Sequence, residues 1–335
     1  MGRATILGLG GYVPGRRVTN AMLEQTLDTT DEWITQRTGV RVRYFCESGE
    51  ATSDLAVKAG RRALEHAGVQ GVDMLVLATT TPDHPCPATA PAVAAALGLG
   101  TVPAFDLQAV CSGFLYASRV AASLVDSGAA ETVLVIGADA FSSILDPSDR
   151  TTSVIFGDGA GAAVIGRSDD ETLGWGSFEL GADGALREAI IVSGGGSREA
   201  SASDAAGFAP YFRMEGKRVF RAAVDAMAGS CRTVLGRSGW EPDDVDYLVG
   251  HQANARILRS VAYVLGLPEK RVVLHLDDVG NTSAASIPLA LTAYSHRFTP
   301  GSRIVLTAFG GGATWGAATL SWPRHLTETT IEGAA

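Results

Sequence analysis

The sequence predicts an α/β fold in which one unit of strands and helices is used twice. Three observations predict it. Short apolar, β-branched runs alternate with alanine-rich stretches of helical period. Strands separated by such stretches argue for mostly parallel sheets. The same order of features also occurs once in each half of the chain: strand, helix, strand, a reactive or polar residue opening a helix, then a Phe-Gly-rich segment.

In chain order, MLVLATT (74–80), VPAFDLQ (102–108), TVLVIGA (132–138), AAVIG (162–166), VDYLVG (245–250), RVVLHL (271–276) and RIVLTAF (303–309) read as strands. SDLAVKAGRRALEHAG (53–68) reads as a helix capped by Ser53 and closed by Gly68. FLYASRVAASLVDSG (114–128) and RVFRAAVDAMAGSCRTVLGRSG (218–239) are the other clear helices. In the first half Thr79 ends a strand, Cys111 opens a helix and FGDGAGAAVI follows; in the second, His251, Asn281 and FGGGATWGAATL take the same places. The polar SDDET segment (168–172) sets the boundary, giving halves of residues 1–170 and 171–335. SGGGSREASASDAAGFA (193–209) reads as a mobile Gly/Ser/Ala loop.

Of the 335 residues, 46% are hydrophobic, ample for a buried core and inconsistent with a disordered chain. A net charge of −9 weighs against non-specific nucleic-acid binding, which needs phosphates neutralised by Lys and Arg. Cys46, Cys86, Cys111 and Cys231 have neither the number for a disulfide framework nor C-x-x-C zinc spacing. MGRATILGLGGYVPG is too short and glycine-rich for a signal peptide, and no apolar run approaches a membrane span. A cytoplasmic protein without membrane contact is expected.

Cys111, in DLQAVCSGFLYA, follows a strand and opens a helix. A thiol there feels unpaired N–H groups and the positive dipole end, which favours its thiolate. Taken alone, a small buried core cysteine is as good a reading. His251 taken alone reads as a surface or satisfied histidine, and Asn281, beside Gly280, as a turn cap. Three such residues at matching strand–helix junctions of two repeats are a much rarer coincidence. The glycine clusters GDGAGA (157–162) and GLGGYVPG (8–15) fail the context test for a dinucleotide site. The first leads into a β run rather than a helix, and Pro14 argues against a phosphate-binding helix start in the second.

The motifs DEWITQRTGVRVR (31–43), FDLQAVCSGF (105–114), DRTTSVIFGDGAGAAV (149–164), HQANARI (251–257), GNTSAASIP (280–288) and FGGGATWG (309–316) together resemble the β-ketoacyl-acyl-carrier-protein synthase III family of the thiolase superfamily. The resemblance covers nearly the whole chain. It implies a thiolase-like five-layered αβαβα fold of two similar halves, with buried central helices starting at Cys111 and near Asn281. It implies a homodimeric acyltransferase that condenses an acyl-CoA starter with malonyl-acyl carrier protein, losing CO₂. Cys111 would carry the acyl group, and the N–H groups of Cys111 and Gly311 would hold the thioester oxyanion. His251 and Asn281 would hold the malonyl enolate. Trp33, Arg37 and Arg150 would bind the adenine and phosphates of coenzyme A, and Gly216, Phe220, Ala253 and Asn254 would line the pantetheine tunnel. Lys217 stands where the family often has Asn.

Cys86 would close the partner's acyl tunnel, and Phe141 would be a further wall residue. A small residue at position 86 suggests branched or medium-chain starters. Lys217, Arg218, Arg221, Arg256 and Arg259 would dock an acidic carrier protein, although a solvated basic face is the ordinary reading of such clusters. Acyl-CoA is a substrate, and neither cofactor nor metal is expected. FGGGATWG has no second cysteine of the kind a Claisen thiolase carries there. The rival readings are an acyltransferase acting on an oxygen or nitrogen acceptor, and a catalytically silent carrier-protein scaffold.

Overall fold

A computed structural model describes residues 3–202, 207–326 and 331–333. Its main sheets have six and four strands. The six-stranded sheet runs, edge to edge, Ile331–Glu332, Ala4–Tyr12, Gly159–Arg167, Thr132–Asp139, Met74–Ala78 and Ala104–Leu107. The four-stranded sheet runs Tyr247–Gly250, Arg303–Gly310, Thr314–Ser321 and Gly174–Ala182. Both are mixed rather than mostly parallel. Met74–Ala78 pairs in parallel with both its neighbours, but Gly159–Arg167 is antiparallel to both of its own. Crossover helices force the first kind of pairing, while in the smaller sheet the short return between Gly310 and Thr314 forces the second.

Two buried helices, Gly113–Ser127 and Ser286–Tyr294, lie between the sheets. Phe114, Leu115, Ala290 and Leu291 pack there with Ile6, Val135 and Ile165 of one sheet and Val249, Leu306 and Leu320 of the other. Thr52–Ala67 covers the outside of the first sheet through Leu55, Ala59 and Ala63. Gly216–Ser238 and Ala255–Leu265 cover the outside of the second through Met227, Val234, Leu258 and Val261. The layers are therefore helix, sheet, helix, sheet, helix. Ser286–Tyr294 can be apolar nearly all round because it faces a sheet on both sides, whereas Gly113–Ser127 leaves Arg119, Ser123 and Asp126 exposed.

Three local expectations are corrected. The first outer helix starts at Thr52, not Ser53; Ala51 is its N-cap, and the Ala51 N–H donates to Asp54 at 2.9 Å. RVVLHL is not a strand and makes only the bridge Leu248–Val272. The Gln252 carboxamide takes its backbone partners instead, donating to Val273 O at 3.1 Å and accepting the His275 N–H at 2.7 Å. The 193–209 segment contains a helical turn at Ser197–Ala200, and its residues 203–206 lie outside the described residues. Strands at Ala4–Tyr12 and Gly174–Ala182 were not anticipated. Their glycines hide the β pattern.

Candidate active site

Each half ends a short turn in an elbow that opens its buried helix. Val110 has φ +48° and Ser283 has φ +50°, the only non-glycine residues with positive φ among those described. Cys111 follows the first and Ala284 the second. This register corrects the sequence echo: the counterpart of Cys111 is Ala284, not Asn281. The contacts agree with the correction. His251 meets Ser286 in the second half, as Ala78 meets Gly113 in the first, where a Cβ on Gly113 would lie 3.0 Å from the Ala78 Cβ. Positions 78 and 111 have the same separation as 251 and 284.

Cys111 is half-buried, with protein on all sides but the cavity it faces. Burial pushes its thiol up to about 12, the Ser283 hydroxyl 3.8 Å away pulls it back, and the Asp139 carboxylate adds to the rise. Burial therefore opposes the thiolate that the dipole end of the helix favours, an effect worth about 1 kcal/mol. At the end of the Arg303–Gly310 strand, a Cβ on Gly310 would sit 2.8 Å from Cys111 N. Glycine lets this strand end close on the elbow. Gly311, the expected second donor, is the next residue and has Ile190 against its Cα.

His251 is buried, and burial lowers its imidazole to about 3. The ring is neutral, so its tautomer decides what it can do. Its Nδ1 lies 3.0 Å from Ser286 Oγ, which accepts the Gln252 N–H at 2.6 Å. The Ser286 hydroxyl keeps its own proton to donate to Nδ1, and in that arrangement the imidazole proton sits on Nε2, facing the chamber. Asn281 is braced on three sides. Its N–H donates to Ile155 O, its carbonyl accepts the Gly157 N–H, and its Oδ1 accepts the Ser283 N–H, each at 2.9 Å. The carboxamide is thereby oriented, and its Nδ2 is left to donate.

Cys111, His251 and Asn281 line one inner chamber of about 40 Å³. Phe156, Phe212 and Phe309 form much of its wall. Phe141 does not line it; it stacks behind Phe156 with ring centroids 4.2 Å apart. An outer cavity of about 720 Å³ shares Phe156, Met214, Ala253 and Asn281 with this chamber. It brings together Trp33, Arg37, Gly216, Phe220, Ala253 and Asn254, as expected, and adds Thr151 and Ile155. The Arg37 and Arg150 guanidinium carbons lie 4.9 and 5.4 Å from the centre of the Trp33 ring. Arg150 is outside the cavity lining and is held by Asp28 at 3.1 Å. Asn254 caps its helix by accepting the Arg256 N–H at 2.9 Å and ties it to Arg37 O at 2.9 Å.

The expected docking residues separate. Lys217, Arg221 and Arg256 line the outer cavity. Arg218 turns away to Glu215 at 3.4 Å, and Arg259 is paired with Glu269 at 2.7 Å. Cys86 is exposed on this chain. Ser283, Ser286, Phe156 and Phe212 were missed as site residues. GNTSAASIP shows both serines, but only as candidate helix openers. The described residues hold no metal-ligand cluster, and no described helix is long and apolar enough to cross a membrane.

Two family models match, 3-oxoacyl-[acyl-carrier-protein] synthase III over residues 105–184 and its C-terminal part over 235–322. A β-ketoacyl-[acyl-carrier-protein] synthase III of Streptomyces coelicolor is 55% identical, over 96% of this chain and 98% of its own. A solved 3-oxoacyl-(acyl carrier protein) synthase III from Pseudomonas aeruginosa superposes with TM-score 0.89 at 46% identity, covering 96% of this chain and 99% of that one. The priming β-ketosynthase of the R1128 polyketide pathway superposes with TM-score 0.90 at 37% identity, covering 96% and 97%.

Proposed function

The chain belongs to the 3-oxoacyl-[acyl-carrier-protein] synthase III family, and on that premise we propose that it joins an acyl-CoA starter to malonyl-acyl carrier protein. The observation that carries the residue roles is the convergence of Cys111, His251 and Asn281 on one chamber at the foot of the outer cavity. Acyl-CoA enters with its adenine end near Trp33, Arg37 and Arg150 and its pantetheine between Phe220 and Asn254. The Cys111 sulfur bonds to the acyl carbon, the C–S bond to coenzyme A breaks, and the thiol proton leaves with coenzyme A. The Cys111 and Gly311 N–H groups stabilise the intermediate oxyanion.

Malonyl-carrier protein then docks at Lys217, Arg221 and Arg256. The bond to the malonyl carboxylate breaks and CO₂ departs. The enolate oxygen accepts hydrogen bonds from His251 Nε2–H and Asn281 Nδ2–H. A neutral imidazole suits this step, because it stabilises the enolate without protonating it. The enolate carbon attacks the acyl carbon, the bond to Cys111 breaks, and the departing thiolate takes up one proton from solvent. Acyl-CoA is a substrate in this reading. The product primes fatty acid or polyketide synthesis.

A homodimer acting in the cytoplasm fits the same reading: Ala104–Leu107 is an edge strand, and its Phe105 is 37% exposed. Incubation with acyl-CoAs followed by intact-mass measurement, then addition of malonyl-carrier protein, tests the proposal. Cys111→Ala loses the acyl adduct, whereas His251→Ala and Asn281→Ala keep it and lose CO₂ release. An acyl adduct in wild type with no CO₂ release would favour transfer to an oxygen or nitrogen acceptor.

A further inference from the structure

Two elbows lie beside the inner chamber: Cys111 of the first lines it, and of the second only Asn281, two residues before Ser283, does. Each abuts the last residue of a strand. Asp139 ends Thr132–Asp139 and pairs with Gly159 of the returning strand; Gly310 ends Arg303–Gly310 and pairs with Thr314 in the same way. The two strand ends are equivalent, but their side chains differ. At the first elbow the Cys111 N–H faces Gly310, which has none. At the second, the Ala284 N–H donates to Asp139 Oδ2 at 3.1 Å. The site that would be an oxyanion hole in the second half is filled by the protein's own carboxylate.

We propose that Asp139 is a positioning residue. Its carboxylate occupies the oxyanion site of the second elbow and fixes that elbow, and through it the Asn281 carboxamide, in the geometry that malonyl decarboxylation needs. The hydrogen bonds trace the route. Ser283 is strained at φ +50°, and such a residue persists only where its surroundings hold it. The N–H of Ser283 donates to Asn281 Oδ1 at 2.9 Å, and the next N–H donates to Asp139. Side-chain oxygens therefore clamp both amides of the strained turn.

The other carboxylate oxygen is anchored in the first half. Asp139 Oδ1 accepts from Thr80 N–H at 2.6 Å and from Thr81 N–H and the Thr79 and Thr81 hydroxyls at 3.2 Å. Asp139 is fully buried, and all these partners donate. An asparagine in its place turns one acceptor into a donor that faces donors.

The inference rests on the decarboxylative reading above, and the test separates the two. Full-length wild type, Asp139→Asn and Asp139→Asn with Ser283→Gly are assayed for acyl-Cys111 formation by intact mass and for CO₂ release from malonyl-carrier protein. Wild type without CO₂ release would sink the functional reading itself. With wild type active, Asp139→Asn is expected to prime within about threefold of wild type and to release CO₂ roughly a hundredfold more slowly, the size of effect of one lost oxyanion donor. Glycine makes positive φ easy, so the double variant is expected to recover about tenfold of that loss. CO₂ release near the wild-type rate in Asp139→Asn, an equal loss of priming, or no recovery in the double variant would overturn the proposal. If Asp139→Asn is insoluble, soluble double variant with measurable CO₂ release supports it, and an insoluble double variant overturns it, because the carboxylate is then a prop for the first sheet.

Discussion

The Cys111 thiol shows how burial overrides a favourable local position. A cysteine at a helix start is expected to be acidic, yet enclosure drives this one to about 12. Below that value the thiolate fraction, and with it reactivity, grows about tenfold per pH unit. Alkylation of Cys111 by iodoacetamide in the unliganded protein, followed on its own peptide, is therefore expected to climb throughout pH 6 to 9. A plateau near neutrality would show a thiolate already formed. Ser286 makes the complementary case for the histidine. Ser286→Ala frees Nδ1 to carry the proton and is expected to slow CO₂ release about tenfold, less than the roughly hundredfold or more that losing an acid–base group itself costs, while acylation of Cys111 stays within about twofold. Equal slowing of both partial reactions would remove Ser286 from the role assigned to it.

Among the elements, the helix Ala255–Leu265 distinguishes residues that its sequence makes look alike. Arg256 and Arg259 sit three residues apart, but Asn254 caps the helix so that Arg256 lines the outer cavity, with its guanidinium 5.9 Å from the Phe220 ring centre. Arg259 is instead committed to Glu269. Arg256→Glu is accordingly expected to raise the KM for malonyl-carrier protein about tenfold at low salt, with the difference shrinking as salt is added. Arg259→Glu is expected to change it less than about twofold, as befits an exposed pair of little energetic weight. Steady-state kinetics at two ionic strengths checks both; a larger effect at Arg259 would move the docking surface along the helix.

For the whole molecule, the question is how much room the assembled layers leave for a starter. The inner chamber holds about 40 Å³, space for about three waters, which suits a short acyl group. The Phe141, Phe156 and Phe212 rings pack at and behind the chamber wall with centroids 4.2 to 5.1 Å apart. Phe212→Ala is expected to shift priming toward longer acyl-CoAs, with each accommodated methylene contributing about 0.8 kcal/mol, or about fourfold in binding. An unchanged profile across acetyl-, hexanoyl- and octanoyl-CoA would place the chain-length limit elsewhere.

The sequence by itself determined the doubled α/β plan and set Cys111, His251 and Asn281 at strand–helix junctions, while the buried central helices and the residues' roles came only with the family resemblance. The α/β plan is local: apolar runs set strands, and alanine-rich stretches of helical period set helices. The tertiary structure alone decided the register of the two halves, because spacing cannot show that Ala284, not Asn281, follows a residue at positive φ. It also decided which arginines face the cavity, which hydroxyl meets the histidine Nδ1 and where a carboxylate meets a backbone N–H. Asp139 and Ala284 are 145 positions apart, and His251 and Ser286 are 35 apart. Packing of the first sheet's end against the other half's elbow brings the first pair within hydrogen-bond range, and the fold of the second half brings the second.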